Sequence, residues 1–306
     1  MATSITTTYA GEFAGKYISA ALLSADTIEG GGITVKPNVK FKEVMKTLST
    51  NALVKDAACD FADQSTVTLA ERILQPEEFQ VNLELCKKDF HNDWEAIQMG
   101  YSAFDSLPPS FADFLIGHIA AKVAQKTEET IWTGVTANAG EFDGFATLLA
   151  ADATVIDVVG TTVTAANVID ELGKVVDAIP TSVYGKEDLY IYVSQSIARA
   201  YVRALGGFGA SGLGANGVNN AGTTWFNGGD LAFDGVKLFV CSGMADNDMV
   251  AAQKSNLFFG TGLLADHNEV KLIDMADLDG SQNVRVVMRF TSAVQYGIGA
   301  DIVYYT

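Results

Sequence analysis

The sequence predicts an α+β fold, in which helices and strands are grouped along the chain instead of alternating one by one. Three helices are predicted in the middle of the chain, at 111–132, 164–179 and 195–205, and extended segments with turn residues lie on both sides. The chain has 306 residues, of which 48% are hydrophobic, so it can bury a large core.

The first 35 residues are rich in Thr, Ser, Ala and Gly and end in EGGG at Glu29 to Gly32. Such a composition cannot bury enough surface to fold alone. We therefore expect residues 1–35 to form an N-terminal arm that neighbouring chains hold in place.

Basic residues are concentrated near the N-terminus of an acidic chain. The formal net charge is −17, yet residues 1–55 carry six lysines against four acids. This asymmetry predicts that the arm lies across an acidic neighbour of its own kind, with contacts from Lys16, Lys36, Lys40 and Lys42. Solvated surface charges are the alternative explanation.

Composition argues against several functional classes. An acidic chain without a Lys/Arg stripe is a poor binder of phosphate, so it would enclose nucleic acid instead of gripping it. The three cysteines and three histidines are scattered without metal-ligand spacing, and we expect no metal and no cofactor. The sequence lacks a long apolar run and a secretory signal, which predicts a soluble protein made in the cytosol.

Residues 36–95 combine a helical pattern with strands. Apolar residues recur at helical spacing from Phe41 to Leu48, which predicts a lead-in helix. The stretches STVTLAERIL (65–74) and EFQVNLELC (78–86) are typical of strands, and in the second Phe79 and Val81 begin an apolar–polar alternation. The intervening LQPEEF is a turn signal, so we expect a long β-hairpin projecting between 60 and 90.

The strongest helix signal in the chain follows two prolines at 108 and 109. Ser110 is the predicted N-cap, with Asp113 three residues later, and the helix is expected from about Phe111 to Trp132. One apolar stripe runs along it, formed by Phe111, Phe114, Leu115, Ile119, Val123 and Ile131.

A compact α-β-α unit is predicted next. An amphipathic helix starts at Thr164 and is ended by Pro180, LYIYV (189–193) is a buried strand, and Ser194 caps a third helix through Leu205. Beyond this unit, strands are predicted within 235–243, 256–264, 270–275, 283–297 and 300–305.

The segment 206–222 contains the dinucleotide fingerprint G-x-G-x-x-G twice in overlapping register. The glycines concerned are Gly207, Gly209, Gly212, Gly214 and Gly217. A phosphate-binding fingerprint must follow a strand and open a helix, whereas these glycines follow a helix and precede a sequence with little helix-forming power. The pattern therefore predicts an adaptable loop instead of a nucleotide site.

Candidate catalytic residues do not combine into a set. The acids of ADND (245–248) and ADHNE (265–269) could hold a cation, but they lack the spacing of a calcium loop. Glu128 and Glu129 lie on a helix with no histidine or nucleophile placed near them, and Ser194 lacks the flanking glycines of a nucleophile elbow. We expect a protein that is not an enzyme.

The order of these elements resembles the major capsid proteins of tailed bacteriophages, which have the Hong Kong 97-type capsid fold. The most specific stretches are LCKKDFHNDWEAIQMG (85–100), LPPSFADFLIGHIAAKVAQKTEETIWTG (107–134) and GEFDGF (140–145). Two later stretches, SNLFFGTGLLADHNEVKLIDM (255–275) and MRFTSAVQYGIGADIVYY (288–305), resemble the closing strands of that family.

The resemblance implies a division of the chain into five segments. They are an N-terminal arm (1–35), a lead-in helix with the extended loop, or E-loop (36–95), the spine helix with part of the peripheral domain (96–160), an axial domain with the glycine-rich loop (161–250), and return strands that complete the peripheral domain (251–306).

The resemblance also implies a structural role. The chain would assemble with itself into hexamers and pentamers of an icosahedral head shell, which encloses double-stranded DNA without sequence-specific binding and without a membrane. Portal and scaffolding proteins would be partners, with decoration proteins as a further candidate. The chain would assemble in the host bacterial cytoplasm and reside in the virion. Besides the four lysines, expected intersubunit residues are Phe79, Val81, Gly207, Gly209, Gly212 and Gly214.

Two other functions stay open. An encapsulin-type bacterial nanocompartment has a shell of the same fold and packs an enzyme cargo instead of a genome. A soluble nucleotide-binding enzyme is a more distant alternative. Cys59 and Cys86 flank the predicted hairpin, and a disulfide between them is a further hypothesis.

Overall fold

The structure is a computed structural model that describes residues 26–50, 66–86, 109–206, 231–262 and 271–306, together with positions 54, 56, 57 and 59. Within these ranges, the side chains at 109–114, 206, 271 and 277 are left undescribed. Most of the predicted arm, with Lys16, and the glycine-rich loop at 207–230 therefore lie outside the described residues.

Helices and strands are both present, so the α+β class is confirmed. The helices are α1 (Asp26–Glu29), α2 (Pro109–Thr133), α3 (Phe145–Ala150), α4 (Val168–Asp177), α5 (Gln195–Gly206) and α6 (Ala276–Asp279). The strands are β1 (Thr34–Lys36), β2 (Glu43–Thr50), β3 (Val67–Leu74), β4 (Glu77–Cys86), β5 (Ile156–Val158), β6 (Leu189–Ser194), β7 (Ala232–Phe233), β8 (Val236–Cys241), β9 (Met249–Gln253), β10 (Leu257–Gly260), β11 (Lys271–Asp274), β12 (Asn283–Tyr296) and β13 (Val303–Tyr305).

A six-stranded mixed sheet, in the order β5-β13-β9-β6-β8-β7, carries α4 and α5 on one face. Successive residues of a strand point to opposite faces, and the buried strand β6 shows this directly. Ile191 and Val193 pack in the cluster that contains the two helices, whereas Tyr192 belongs to a second cluster on the other face.

A five-stranded sheet is built around β12, which is 14 residues long. β12 pairs with β4 on one side and with β10 and β11 on the other, and β1 adds to β10 in parallel. The second core cluster joins this sheet to the six-stranded one, because Trp132 of α2 is buried together with Tyr192 and Phe259. The two sheets and the C-terminal half of the long helix thus share one core.

The predicted lead-in helix is wrong as secondary structure. Residues 43–50 form β2, which pairs antiparallel with β3 from Glu43 opposite Leu74 to Thr50 opposite Val67. Apolar residues in this stretch fit both the helical and the strand period, and KTLST at its end is rich in residues that favour strands. Pairing with β3, the next strand along the chain, selects the extended conformation over the helical one.

The predicted hairpin between 60 and 90 is wrong in its pairing. β3 and β4 are both strands, but β3 pairs with β2, whereas β4 pairs along its ten residues with β12. The connection at Gln75 and Pro76 passes from a two-stranded sheet to the five-stranded sheet. Proline lacks the N–H that a continuing ladder needs, so it suits this transition.

The helix predictions are confirmed with small changes at the boundaries. α2 begins at Pro109, so Ser110 lies inside the first turn instead of capping it, and proline is well suited to that position. In the predicted stripe, Ile119 and Ile131 are buried. α4 begins at Val168, a turn later than predicted.

Across the described ranges, no helix combines the length and the apolar character that crossing a membrane requires.

Candidate functional site

An exposed apolar strip, here named the hairpin face, runs along one side of the β2–β3 hairpin. Its side chains are 44–72% exposed, and they are Val44, Leu48, Val67, Leu69 and Ile73. Leu48 lies directly opposite Leu69 across the two strands, and a charged pair, Lys46 opposite Glu71, interrupts the strip. Five exposed aliphatic side chains on one side of two paired strands are typical of a contact surface.

The other side of the hairpin is attached to the body of the chain. Met45 and Leu74 are buried in a small cluster with Val39 and Ala293. Gln295 also donates from its side-chain amide to the carbonyl oxygen of Ile73 at 3.2 Å. The base of the hairpin is therefore fixed, while its apolar face points away from the core.

Arg72 forms the polar part of this attachment. Its Nη2 forms an ion pair with Asp152, and its Nε donates to the carbonyl oxygen of Gly297 at 3.0 Å. The guanidinium lies 4.2 Å from the centroid of the Tyr296 ring. The Tyr296 hydroxyl donates to Asp152 Oδ2 at 2.7 Å, and burial together with this bond raises the pKa of Tyr296 to about 12. Hydrogen bonds, first from the backbone N–H of Thr154, hold the pKa of Asp152 below its usual range.

An apolar groove of about 610 Å³ lies between α2 and β4. Its lining includes Phe79, Val81 and Phe290 from the sheet and Ile119 and Val123 from the helix. Lys122, Lys126 and Glu78 also line the groove, and Lys126 forms an ion pair with Glu141. The groove thus offers an apolar surface with charged side chains of both signs.

The first described turn of the chain is fastened to the long helix by buried hydrogen bonds. Thr27 is fully buried, and its hydroxyl donates to Glu128 Oε1 at 2.5 Å while its backbone N–H donates to Oε2 at 3.1 Å. Trp132 Nε1 donates to the same hydroxyl at 2.8 Å. We name residues 26–36 the N-terminal clasp.

The rest of the clasp runs from the six-stranded sheet to the five-stranded sheet. The Tyr192 hydroxyl donates to the carbonyl oxygen of Gly32 at 2.5 Å. A Cβ atom at Gly32 would lie 2.8 Å from the Phe239 ring, so only glycine permits this close approach. Thr34 Oγ1 then donates to the carbonyl oxygen of Lys254 at 3.0 Å, where β1 joins β10.

Glu128 is a buried acid whose role in the clasp is structural. Burial raises its pKa to about 6, although the hydrogen bonds from Thr27 oppose that shift. Nearby Asp26 raises the pKa further, and a backbone hydrogen bond from Gly243 lowers it. Burial also raises the pKa of the neighbouring Cys241 thiol well above its ordinary value, so that group is not an activated nucleophile.

The three described arm lysines, Lys36, Lys40 and Lys42, have different surroundings, and Lys16 lies outside the described residues. Lys36 forms an ion pair with Glu43 of its own chain and lies 5.0 Å from the centroid of the Phe258 ring. Lys42 lies 5.4 Å from the ring centroid of its neighbour Phe41, and Lys40 is exposed. Lys36 therefore belongs to the clasp, whereas Lys40 and Lys42 lie on the surface.

The other predicted contact residues divide between the groove and the undescribed loop. Phe79 and Val81 lie together in the lining of the groove, where Phe79 also packs 6.1 Å from the ring of Phe142. Gly207, Gly209, Gly212 and Gly214 lie outside the described residues. A role in contacts between subunits stays a prediction for all six.

The candidate catalytic residues have structural partners. Ser194 Oγ accepts the N–H of Ile197 at 3.4 Å, as expected of the predicted cap. Asp248 of ADND accepts from the Tyr304 hydroxyl at 3.3 Å, while ADHNE lies outside the described ranges. No cluster of three or more potential metal ligands occurs in the part of the chain that the structure describes. Cys59 and Cys86 are free thiols, so the proposed disulfide is absent.

Sequence reasoning missed both the hairpin face and the clasp. The alternation of Val67, Leu69 and Ile73 was available in the sequence as a strand with one apolar face. No local signal marks Thr27, because its partner Glu128 is 101 positions away.

No family model and no curated protein matches the sequence. Solved structures do match along nearly the whole chain. The capsid of the native GTA particle is 13% identical, with 95% of this chain and 93% of that chain covered and a TM-score of 0.64. A chain of Mycobacterium phage Ogopogo is 13% identical, with 95% of this chain and 94% of that chain covered and a TM-score of 0.61. The capsid of cyanophage P-SCSP1u is 14% identical, with 96% of this chain and 91% of that chain covered and a TM-score of 0.55. The fold of this chain is the fold of these three solved chains, two of which are capsid chains.

Proposed function

We propose that this chain is the major capsid protein of a tailed bacteriophage, which self-assembles into the icosahedral head shell around double-stranded DNA. The observation that carries the proposal is the match to the capsid of the native GTA particle, which covers 95% of this chain and 93% of that one.

The elements fit a Hong Kong 97-type arrangement. The β2–β3 hairpin corresponds to the E-loop, and α2, a rod of 25 residues, to the spine helix. The five-stranded sheet beside α2 supplies the peripheral domain. The six-stranded sheet with α4 and α5 supplies the axial domain, and the glycine-rich segment follows α5 in the sequence. In this assignment the E-loop begins with a strand, β2, and not with a helix.

The hairpin face supplies the main contact between subunits. Burying an aliphatic side chain fully contributes about 1.5–3 kcal/mol, and five such side chains lie on this face. The groove that contains Phe79 and Val81 offers an apolar surface of matching character on the next copy. The described part of one chain neither covers the hairpin face nor fills the groove. Both surfaces therefore favour a shell over a monomer.

The remaining partners follow from the same assignment. Portal and scaffolding proteins contact the shell, decoration proteins are a further candidate, and the enclosed DNA is held without sequence-specific binding. With a net charge of −17 the chain repels phosphate, which suits a container that must let DNA pack and leave. The shell assembles in the host bacterial cytoplasm and becomes part of the virion.

Electron microscopy of the purified chain tests the proposal. We expect closed, regular shells, either spontaneously or on coexpression with a scaffolding protein from the same source. A chain that stays monomeric under both conditions would contradict the capsid assignment. The contents of the shells distinguish a genome container from an encapsulin-type compartment, because the latter would hold a protein cargo in place of DNA.

A further inference from the structure

We infer that the N-terminal clasp is a pH-dependent switch, which opens away from α2 more readily at neutral pH than at acid pH while the rest of the chain stays folded. The titrating group is Glu128 of α2, and the moving part is residues 26–36. The inference goes beyond the proposed function and does not depend on it, because it concerns a single copy of the chain.

The clasp is held to the body of the chain mainly by polar contacts. Ile33 is the one aliphatic side chain in it that is fully buried, at 2% exposure, while Ile28 and Val35 are partly buried. Its strand β1 has three residues and lies at the edge of the five-stranded sheet, paired with β10 alone. An edge segment with so little buried apolar surface opens at a lower free energy than the core does.

Glu128 connects the opening of this segment to pH. The carboxylate is fully buried, and two of its hydrogen bonds come from the hydroxyl and the backbone N–H of Thr27, which belong to the clasp. Burial outweighs these bonds and raises the pKa of Glu128 to about 6. Opening the clasp removes Thr27 and admits water to the carboxylate. The ionised form, which water solvates far better than a protein core does, therefore favours the open clasp.

A second acid, and not a cation, faces Glu128 from the clasp. Asp26 accepts a hydrogen bond from the Ser242 hydroxyl, and its negative charge raises the pKa of Glu128 further. In the described part of the chain, no lysine or arginine forms an ion pair with Glu128. On α2 itself, the basic residue two positions away, Lys126, pairs with Glu141.

The groups that pack nearby from the six-stranded sheet do not change charge in the same pH range. They are the Cys241 thiol of β8 and the Tyr192 hydroxyl of β6, and burial raises the pKa of both well above their ordinary values. The ionisation of Glu128 is thus opposed by burial and by Asp26, and no neighbouring titration offsets it.

The direction of the switch follows from the two pKa values of Glu128. Below the ordinary 4.5 the acid is protonated whether the clasp is open or closed, and the clasp is closed most firmly. As pH rises to about 6, the closed form still holds a proton that the open form has lost, so opening becomes easier. Above this range the effect is complete. The interval between the two values allows the opening constant to rise by at most about thirtyfold.

Native-state hydrogen exchange on the unassembled full-length chain tests the inference, at several pH values from about 4 to 7.5. The amides of Gly30 and Gly32 donate to the carbonyl oxygens of Asp26 and Thr27 at 2.8 and 3.0 Å. A helix as short as α1 does not persist once detached, so exchange at these two amides reports opening of the clasp. The amides of β6, which is paired on both sides, report unfolding of the core.

After correction for the intrinsic pH dependence of exchange, we expect the opening constant of the clasp to rise about tenfold or more between pH 4.5 and pH 7. At every pH it should exceed the opening constant of β6. Clasp amides that exchange no faster than those of β6, or a clasp opening constant that does not change with pH, would overturn the inference.

Two matched variants identify the titrating group. Glu128→Gln removes the buried charge, and we expect its clasp opening to be independent of pH over this range. Glu129→Gln removes the same charge one position along α2, where the carboxylate is half-buried and accepts from Gln125 at 3.0 Å, and it should keep the wild-type profile. A wild-type profile in Glu128→Gln would exclude Glu128 as the switch. If Glu128→Gln does not fold, the comparison of clasp and β6 amides in the wild type still decides whether the clasp opens by itself with pH.

Discussion

Thr27 donates two hydrogen bonds to the carboxylate of Glu128, one from its hydroxyl and one from its backbone N–H, across 101 positions of sequence. A buried acid of this kind is stable only with partners. The same hydroxyl accepts from Trp132, so three buried polar groups satisfy one another. This unit fixes the first described turn of the chain against the long helix α2.

Glu128 should make the stability of the chain depend on pH between its ordinary and its raised pKa. The folded-state pKa of about 6 exceeds the ordinary 4.5, so between these values the native state holds a proton that the unfolded state has lost. Stability therefore falls as pH rises from 4.5 to 6, by about 2 kcal/mol in total. Urea denaturation of the wild type and of Glu128→Gln at several pH values isolates this contribution. If the stability difference between the two proteins is independent of pH, Glu128 does not titrate in this way.

Thr27→Val should destabilise the chain by about 1–3 kcal/mol, because it leaves Glu128 and Trp132 with an unmet buried hydrogen bond. Thr133→Val is the matched control. Thr133 also donates through its hydroxyl, to the carbonyl oxygen of Glu129, but it is exposed and water can replace the bond. We expect the control to lie within about 0.5 kcal/mol of the wild type. Equal effects of the two substitutions in urea denaturation would show that the clasp contributes no special stability.

The hairpin face should be required for shell formation and not for folding. Leu48→Asp with Leu69→Asp places two charges on the apolar strip, where both side chains are already exposed in the single chain. We expect a folded protein that forms no shells in electron micrographs. Ser49→Asp with Thr68→Asp is the control, because this cross-strand pair is also exposed and lies on the other side of the same hairpin. Shells from the first variant would exclude the hairpin face as a subunit contact.

Arg72→Lys should loosen the base of the hairpin. Lysine keeps the charge toward Asp152 but loses the planar group that lies over Tyr296 and bonds Gly297 at the same time. We expect faster amide hydrogen exchange in β2 and β3 and little change in the six-stranded sheet. Unchanged exchange in β2 and β3 would mean that the apolar contacts of Met45 and Leu74 suffice.

Much of the architecture could be predicted from sequence because its signals are local. α4 and α5 show clear amphipathic spacing, and the buried strand β6 lies between recognisable boundaries. The partners of strands were not predictable in this way. Both β3 and β4 were predicted as strands, and alternation identified β4, but their true partners, β2 and β12, are chosen by packing that no local pattern records.

The candidate site was predicted only where its residues form a local pattern. Phe79 and Val81 were visible in the alternation of β4, and they do line the groove. The contact of Thr27 with Glu128 depends on a folded chain that brings distant residues together. Arg72 gave no signal for the same reason, since its partners Asp152 and Gly297 lie in later elements.

The clasp also sets an order of events during synthesis. β1 pairs with residues 258–260, and Thr27 needs Glu128, so the beginning of the chain is fastened only when most of it has left the ribosome. Until then a nascent chain has its N-terminal segment unattached and its two sheets unjoined. Contacts of such long sequence separation form late and slowly. Translation itself therefore delays the completion of the folded chain.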